Sequence, residues 1–453
     1  MRLHSQLRHK PPPRKAVDAP VPTGFLAAWE HMLGAAGVPT LPRRRGRPPR
    51  VPLTQLLPAL TFHVMQGTGT LSGHFFELFG DALADSSWSD RRQRLPWDIF
   101  ADLLGRALRP QARPRQHRDA FWRGWRLVAL DGTQFSLSNT PQVLAARVKR
   151  RSRRGRAAFA KLTTAVLLEV GLHNPLAAAM AREDESEWAL GQQLVTRVPK
   201  RALLLADRLY GCAAFLTVAF TACERVGSHF LIRARTAIKA RVQRRLPDGS
   251  RLVEVTRYET RAHSHVPVGT VQVREIRVRV GRPGFRAQEL RLWTSLFDPQ
   301  TAPALELAQL YARRWEHELY YRELKRQVRR GPLLQSHTVD TGAQEIAALV
   351  LVSALIARER ARAAGETPVL RVSFGKALQV VQSMWLFLGV FEDLITARQK
   401  TDIVTRGYEL IGRCLTARRR SRTCPRAVRQ PVGKWPRLMQ NQSVEGPLQF
   451  VVR

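Results

Sequence analysis

Between Val51 and about Gln116 the apolar residues return every three or four positions, as in LTQLLPALTFHVM and IFADLLGRAL, and that spacing predicts a small bundle of helices. Gly67-Thr68-Gly69 and Asp85-Ser86-Ser87 break the pattern. At Arg126 the character changes. RLVALDGTQF (Arg126 to Phe135), KLTTAVLLEV (Lys161 to Val170), PLAAAMA (Pro175 to Ala181), ALLLADRLYG (Ala202 to Gly211) and HFLIRA (His229 to Ala234) are short apolar runs that read as strands. Glu185 to Arg197 and Cys212 to Arg225 read as helices between the later ones. Three strands, helix, strand, helix, strand is the order of an α/β mixed sheet with flanking helices.

From Thr236 to Thr294 the period shortens to two in RLVEVTRYETRA, VPVGTVQVREIRVRV and LRLWTSL, which predicts a β-rich insertion with Arg274, Arg277 and Arg279 on its polar faces. Helical spacing resumes near Pro303 and runs through Arg330, then again over Gly342 to Ala364 and Phe374 to Ile395. The expected division is a basic arm over 1–50, a helical DNA-binding domain over 51–116, a core over 117–235 and 297–365 split by the insertion at 236–296, and a helical region with a basic tail over 366–453.

The helix expected from Tyr311 to Arg330, YARRWEHELYYRELKRQVRR, carries many charges in a regular order. At about 100° per residue, Tyr311, Arg314, Glu318, Arg322 and Lys325 share an arc of roughly 80°. Glu316 and Glu323 point elsewhere and are expected to be dispensable for chemistry. One carboxylate among cations on a single face suits a divalent metal held beside a phosphate.

Charge narrows the class of partner. The 453 residues include 74 Lys+Arg against 36 Asp+Glu, a formal net charge of +38, and such an excess repels itself unless a polyanion is the usual partner. Nucleic acid fits this better than a membrane surface, because the basic residues are spread along the whole chain. The apolar run Ile346 to Ala357 is too short to cross a bilayer and fits a buried helix. The N-terminus has charge but no apolar h-region, which argues against secretion. Cys212, Cys223, Cys414 and Cys424 lack zinc-site spacing and read as reduced thiols of a cytoplasmic protein. Met1 to Pro22 is a proline-rich basic arm. Arg43 to Arg50 contains Arg45-Gly46-Arg47-Pro48, which can thread a narrow minor groove with its arginines or serve as a solvated linker.

Asp131 closes one apolar run and Asp207 another, and adjacent central strands would bring them together. Taken singly, each has an ordinary reading, as a turn residue or a surface ion pair. With Glu318 they make a D-D-E order, the oxygen-donor set that two Mg²⁺ ions about 4 Å apart require. Mn²⁺ suits the same donors.

Tyr311-x2-Arg314-x3-Glu318-x6-Lys325, with DGTQF and ADRLYG around the aspartates, resembles the signature of the DDE transposases of bacterial insertion sequences, the insertion-sequence-4 type. Glu187-Trp188, HFLIRAR and LWTSL also look like features of that family, and the resemblance covers roughly Trp125 to Ala364. It implies an RNase H-like core split by a β insertion, with Asp131, Asp207 and Glu318 as metal ligands and Tyr311, Arg314 and Lys325 on terminal DNA phosphates. It further implies double-stranded DNA with terminal inverted repeats and target DNA as partners, a homodimer at the paired ends, and a nucleoid-associated place in the cytoplasm. Leu209 stands where many relatives have glycine. Leu290 stands near the position at which some relatives hold a flipped base with tryptophan for a hairpin step, while Trp293 reads as a core strand residue. Nicking and 3′-hydroxyl strand transfer need only the acids and metal. A transposase-derived repressor without catalysis would be marked by a lost acid, and a general RNA-binding protein would make the D-D-E order accidental.

Overall fold

The computed structural model describes residues 22–41, 50–149, 151–152, 155–261, 264–281, 287–417 and 449–452. Residues 1–21, Arg45 and Arg47 in the second basic cluster, Cys424 and most of the basic tail lie outside them.

Five helices open the chain: α1 (Phe25–Leu33), α2 (Leu53–Gln66), α3 (Leu71–Phe79), α4 (Asp85–Gln93) and α5 (Trp97–Ala107). The sheet then begins with β1 (Trp125–Ser136) and, after the short α6 (Pro141–Ala146), continues with β2 (Lys161–Glu169) and β3 (Asn174–Met180). Next come α7 (Glu187–Val195), β4 (Ala202–Ala206), α8 (Ala213–Glu224) and β5 (His229–Arg233). Strands β6 (Arg241–Arg245), β7 (Arg251–Arg261), β8 (Ser264–Gly281) and β9 (Gln288–Thr294) follow.

These nine strands lie in the order β3-β2-β1-β4-β5-β9-β8-β7-β6, and two short strands, Phe121–Trp122 on β1 and Gln449–Val452 on β8, bring the sheet to eleven. The first five form the RNase H-like arrangement: β2 runs antiparallel to β1 and β3, whereas β4 and β5 lie parallel to β1 and to each other. The β-rich segment is not detached from this core. Its last strand, β9, pairs antiparallel with β5, so the insertion prolongs the same sheet. Arg274 departs from its expected surface position: it is fully buried, and its guanidinium binds Asp248 and the carbonyls of Leu296, Asp298 and Ala302. Trp293 is a core residue, donating Nε1–H to Glu275 at 3.1 Å.

Alternation along the central strands decides which way each residue faces. Val128, Leu130, Leu204 and Ala206 pack with Leu190 and Leu194 of α7 and Leu216 of α8. Leu127, Ala129, Leu203 and Leu205 pack on the other side, with Leu307 and Tyr311 of α9 (Ala304–Tyr311). Asp131 and Asp207 continue this second series.

The remaining helices are α10 (Glu316–Glu323), α11 (Val339–Ala364), α12 (Phe374–Val390) and α13 (Ala397–Arg413). α11 begins with a capping box between Thr338 and Thr341, and every residue from Thr341 to Ala357 is buried. It is long and apolar enough to cross a membrane by length and composition. Here it is an interior helix, sharing one hydrophobic core with α1, α2, α5, α12 and α13.

Candidate active site

The first aspartate is not at a strand end, contrary to what the apolar run before it predicts. β1 continues past Asp131-Gly132 to Ser136, paired with β2 throughout. Its parallel pairing with β4 does stop there, at Leu130 opposite Ala206. The next residue on each strand is an aspartate, so Asp131 and Asp207 emerge side by side where the two backbones part. Asp131 accepts the Gly132 N–H at 2.9 Å and an Arg314 Nη1–H at 3.3 Å. Asp207 accepts the Leu209 N–H at 2.7 Å, a turn contact that needs no glycine at 209. Burial raises the Asp131 pKa to about 7; repulsion from Asp207 and Glu187 adds to this, and Arg314 opposes it.

The charged helix differs from a regular one. Residues Ala312–Trp315 tighten into a 3₁₀ turn, Glu316–Glu323 are α-helical, and Leu324–Val328 widen into a π turn. Glu318 lies in the regular part and Lys325 in the π turn, and both line one depression. Arg314 is the central contact: one arm reaches Asp131 and the other, Nη2, reaches Glu318 at 3.0 Å. Lys325 donates to Thr133 Oγ1 at 2.5 Å and to the Gln134 carbonyl at 2.8 Å, with Nζ 5.1 Å from the Phe135 ring centre. Burial, helped by Arg329 and Lys161, lowers its pKa to about 8. Arg322 lines a shallow depression of about 260 Å³ with Trp315, Glu318 and Lys325. Tyr311 is buried and donates its hydroxyl to the Ala206 carbonyl at 3.2 Å, bracing the strand end before Asp207.

Three residues were not assigned to the site from sequence. The buried Tyr321 hydroxyl donates to the Asp131 carbonyl at 2.7 Å. Its signal was its position three residues after Glu318, which sets the two on neighbouring parts of the helix surface. Glu187 and Tyr210 are joined by a 3.4 Å hydrogen bond, and Glu187 lies close enough to Asp131 and Asp207 to repel both. Glu316 and Glu323 have structural partners instead. Glu316 accepts the Gly171 N–H at 2.7 Å and pairs with Arg313, and Glu323 pairs with His173 at 2.7 Å and Arg360 at 3.2 Å.

Residues 122–355 match the family model of the transposase DDE domain. The chain belongs to that family. It is also 27% identical over 370 residues, 78% of each chain, to the transposase InsG for insertion sequence element IS4 of Escherichia coli (strain K12). A solved structure, the piggyBac transposase synaptic complex with hairpin DNA, aligns with a TM-score of 0.41 at 8% identity, covering 82% of this chain and 79% of that one. This DDE transposase is thus an enzyme that cuts and transfers DNA, and family chemistry of this kind uses a divalent metal. The carboxylates fit a hard cation: they offer oxygen alone, crowd like charges together, and have no histidine or cysteine among them. Among the described residues no group of three or more acidic, histidine or cysteine side chains stands in metal-holding geometry. Arg314 occupies the space that separates Glu318 from Asp131.

Proposed function

We propose that this transposase nicks DNA at the terminal inverted repeats of an insertion sequence and joins the freed 3′-hydroxyl to target DNA. Asp131, Asp207 and Glu318 are the residues that would hold two Mg²⁺ ions, with Mn²⁺ as a substitute. Such ions activate the attacking oxygen and stabilise charge on the attacking and leaving oxygens of an in-line phosphoryl transfer.

The observation that carries this reading is the pairing of Leu130 with Ala206, which makes both aspartates the next residues on neighbouring parallel strands, beside the helix of Arg314 and Glu318. Arg314 neutralises Asp131 and Glu318 until metal replaces it; parted from them, its planar fork can take a DNA phosphate. Lys325 and Arg322 add positive charge beside Glu318, and Tyr311 steadies the end of β4. The helices from Leu53 to Ala107 serve as a reader of DNA ends, and Arg45 and Arg47 follow the minor groove. The protein acts in the cytoplasm, at the nucleoid, as a homodimer holding both ends. A net charge of +38 supports a DNA partner.

Glu318→Gln tests the assignment. A mobility-shift assay should find end-bearing DNA still bound, while cleavage disappears. Undiminished cleavage would overturn the reading.

A further inference from the structure

Glu187 is the first residue of α7, behind a Ser186 cap whose hydroxyl accepts the Ala189 N–H at 3.2 Å. An acid at this position ordinarily does no more than face solvent and complement the helix dipole. This one is turned inward. Its side chain lies across Gly132, where a methyl group would stand 2.2 Å from Glu187 Cδ and 2.7 Å from Oε1. The Gly132 N–H that serves Asp131 also faces the Glu187 carboxylate. Tyr210, fully buried and three residues beyond Asp207, donates its hydroxyl to Oε1 at 3.4 Å. α7 admits that ring through Gly191, where a methyl group would come within 2.3 Å of it. Two glycines and a buried tyrosine therefore fix Glu187 against both aspartate segments, which a helix-capping acid would not require.

Among the described residues no Lys, Arg or His forms an ion pair with Glu187, and Arg314 is the one base paired with Asp131. Of the three carboxylates Glu187, Asp131 and Asp207, only Asp131 thus has an ion-pair partner among the described residues, and that Arg314 is shared with Glu318. We propose that Glu187 is a fourth carboxylate of the metal site, reaching a divalent cation from the α7 side of the sheet while Glu318 reaches it from the α10 side. This rests on reading Asp131 and Asp207 as metal ligands, and it deepens that reading. A Mg²⁺ or Mn²⁺ ion is held by one or two carboxylates with water and phosphate oxygens in its other positions, and the packing of Glu187 on Gly132 would let its carboxylate take one of those positions from water.

The test is Mn²⁺ binding to the full-length protein without DNA, followed by electron paramagnetic resonance of the free ion. Glu187→Gln should weaken Mn²⁺ binding about tenfold or more. In EDTA the variant should melt at the wild-type temperature or above it, because a repelling charge is gone; with Mn²⁺ it should gain less than wild type. Gly132→Ala, which leaves the carboxylate intact but displaces it, should show the same loss, and Glu187→Asp should recover part of the binding. Wild-type Mn²⁺ affinity in Glu187→Gln, alongside weakened binding in Asp131→Asn and Asp207→Asn, would overturn this inference alone. Wild-type affinity in all three would sink the underlying site assignment as well.

Discussion

Lys325 is a cation kept partly out of water, lodged between Thr133, the Gln134 carbonyl and the Phe135 ring. Its pKa, lowered to about 8, gives it a charge that working pH can remove. The native state binds fewer protons here than the unfolded chain between about 8 and the ordinary value of 10.5, so this group's contribution to stability rises with pH across that window and is lost as pH falls through 8. Binding to end DNA should run the other way, weakening by up to about tenfold per unit above pH 8 if the charged form holds the phosphate. Lys325→Arg should flatten the profile in a binding titration. Asp131 has the opposite shift: protonated up to about pH 7 without metal, it must lose that proton on metal binding. Calorimetry in buffers of different ionisation enthalpy should record about one proton released per site below pH 7, and none in Asp131→Asn. At this scale the sequence was most legible in placement: Asp131 and Asp207 do follow the paired residues of neighbouring strands, and Arg314 does share a face with Glu318. It was least legible where an ordinary position hides an unusual contact. Glu187 stands out in the sequence only through the family resemblance of Glu187-Trp188, which names no contact, and Arg274 reads as surface because alternation reports a face and not how deeply that face is covered.

Among the elements, the charged helix best separates pattern from geometry. A uniform 100° period set Tyr311, Arg314, Glu318, Arg322 and Lys325 on one face, but could not show that a 3₁₀ turn and a π turn flank the regular part. Nor could it show what the opposite face does. Glu323 is enclosed by His173 and Arg360, and together these hold α10 to the segment after β2 and to α11. Glu323→Gln should cost about 3–5 kcal/mol in chemical denaturation, because it leaves a buried guanidinium without its counter-charge. Mn²⁺ affinity of the folded fraction should be unchanged. The strands were legible from their apolar runs, and their order from the alternation with helices. The extension of that sheet by the β-rich segment was not, because pairing of β9 with β5 joins residues far apart in the chain. Gly211 guards this junction: a methyl group there would stand 2.0 Å from the Arg233 carbonyl oxygen at the end of β5. Backbone cannot rotate aside, so Gly211→Ala should yield insoluble protein on expression.

For the whole molecule, a net charge of +38 should make counterion release a large part of the affinity for DNA. If six to ten phosphates are engaged, affinity should drop about 10³- to 10⁵-fold between about 50 and 200 mM salt. A much shallower slope in a binding titration would mean that few of these charges meet DNA. The internal position of α11 has a consequence of another kind. Its partners come from both ends of the chain, α1, α2 and α5 before it and α12 and α13 after it. A ribosome that has just finished α11 therefore holds a nascent chain whose longest helix still lacks the cover of α12 and α13, and that cover is complete only when Arg413 has been made. A chain stopped at Gly365 should clump or be degraded as it is released, although every residue of the proposed metal site has already been translated.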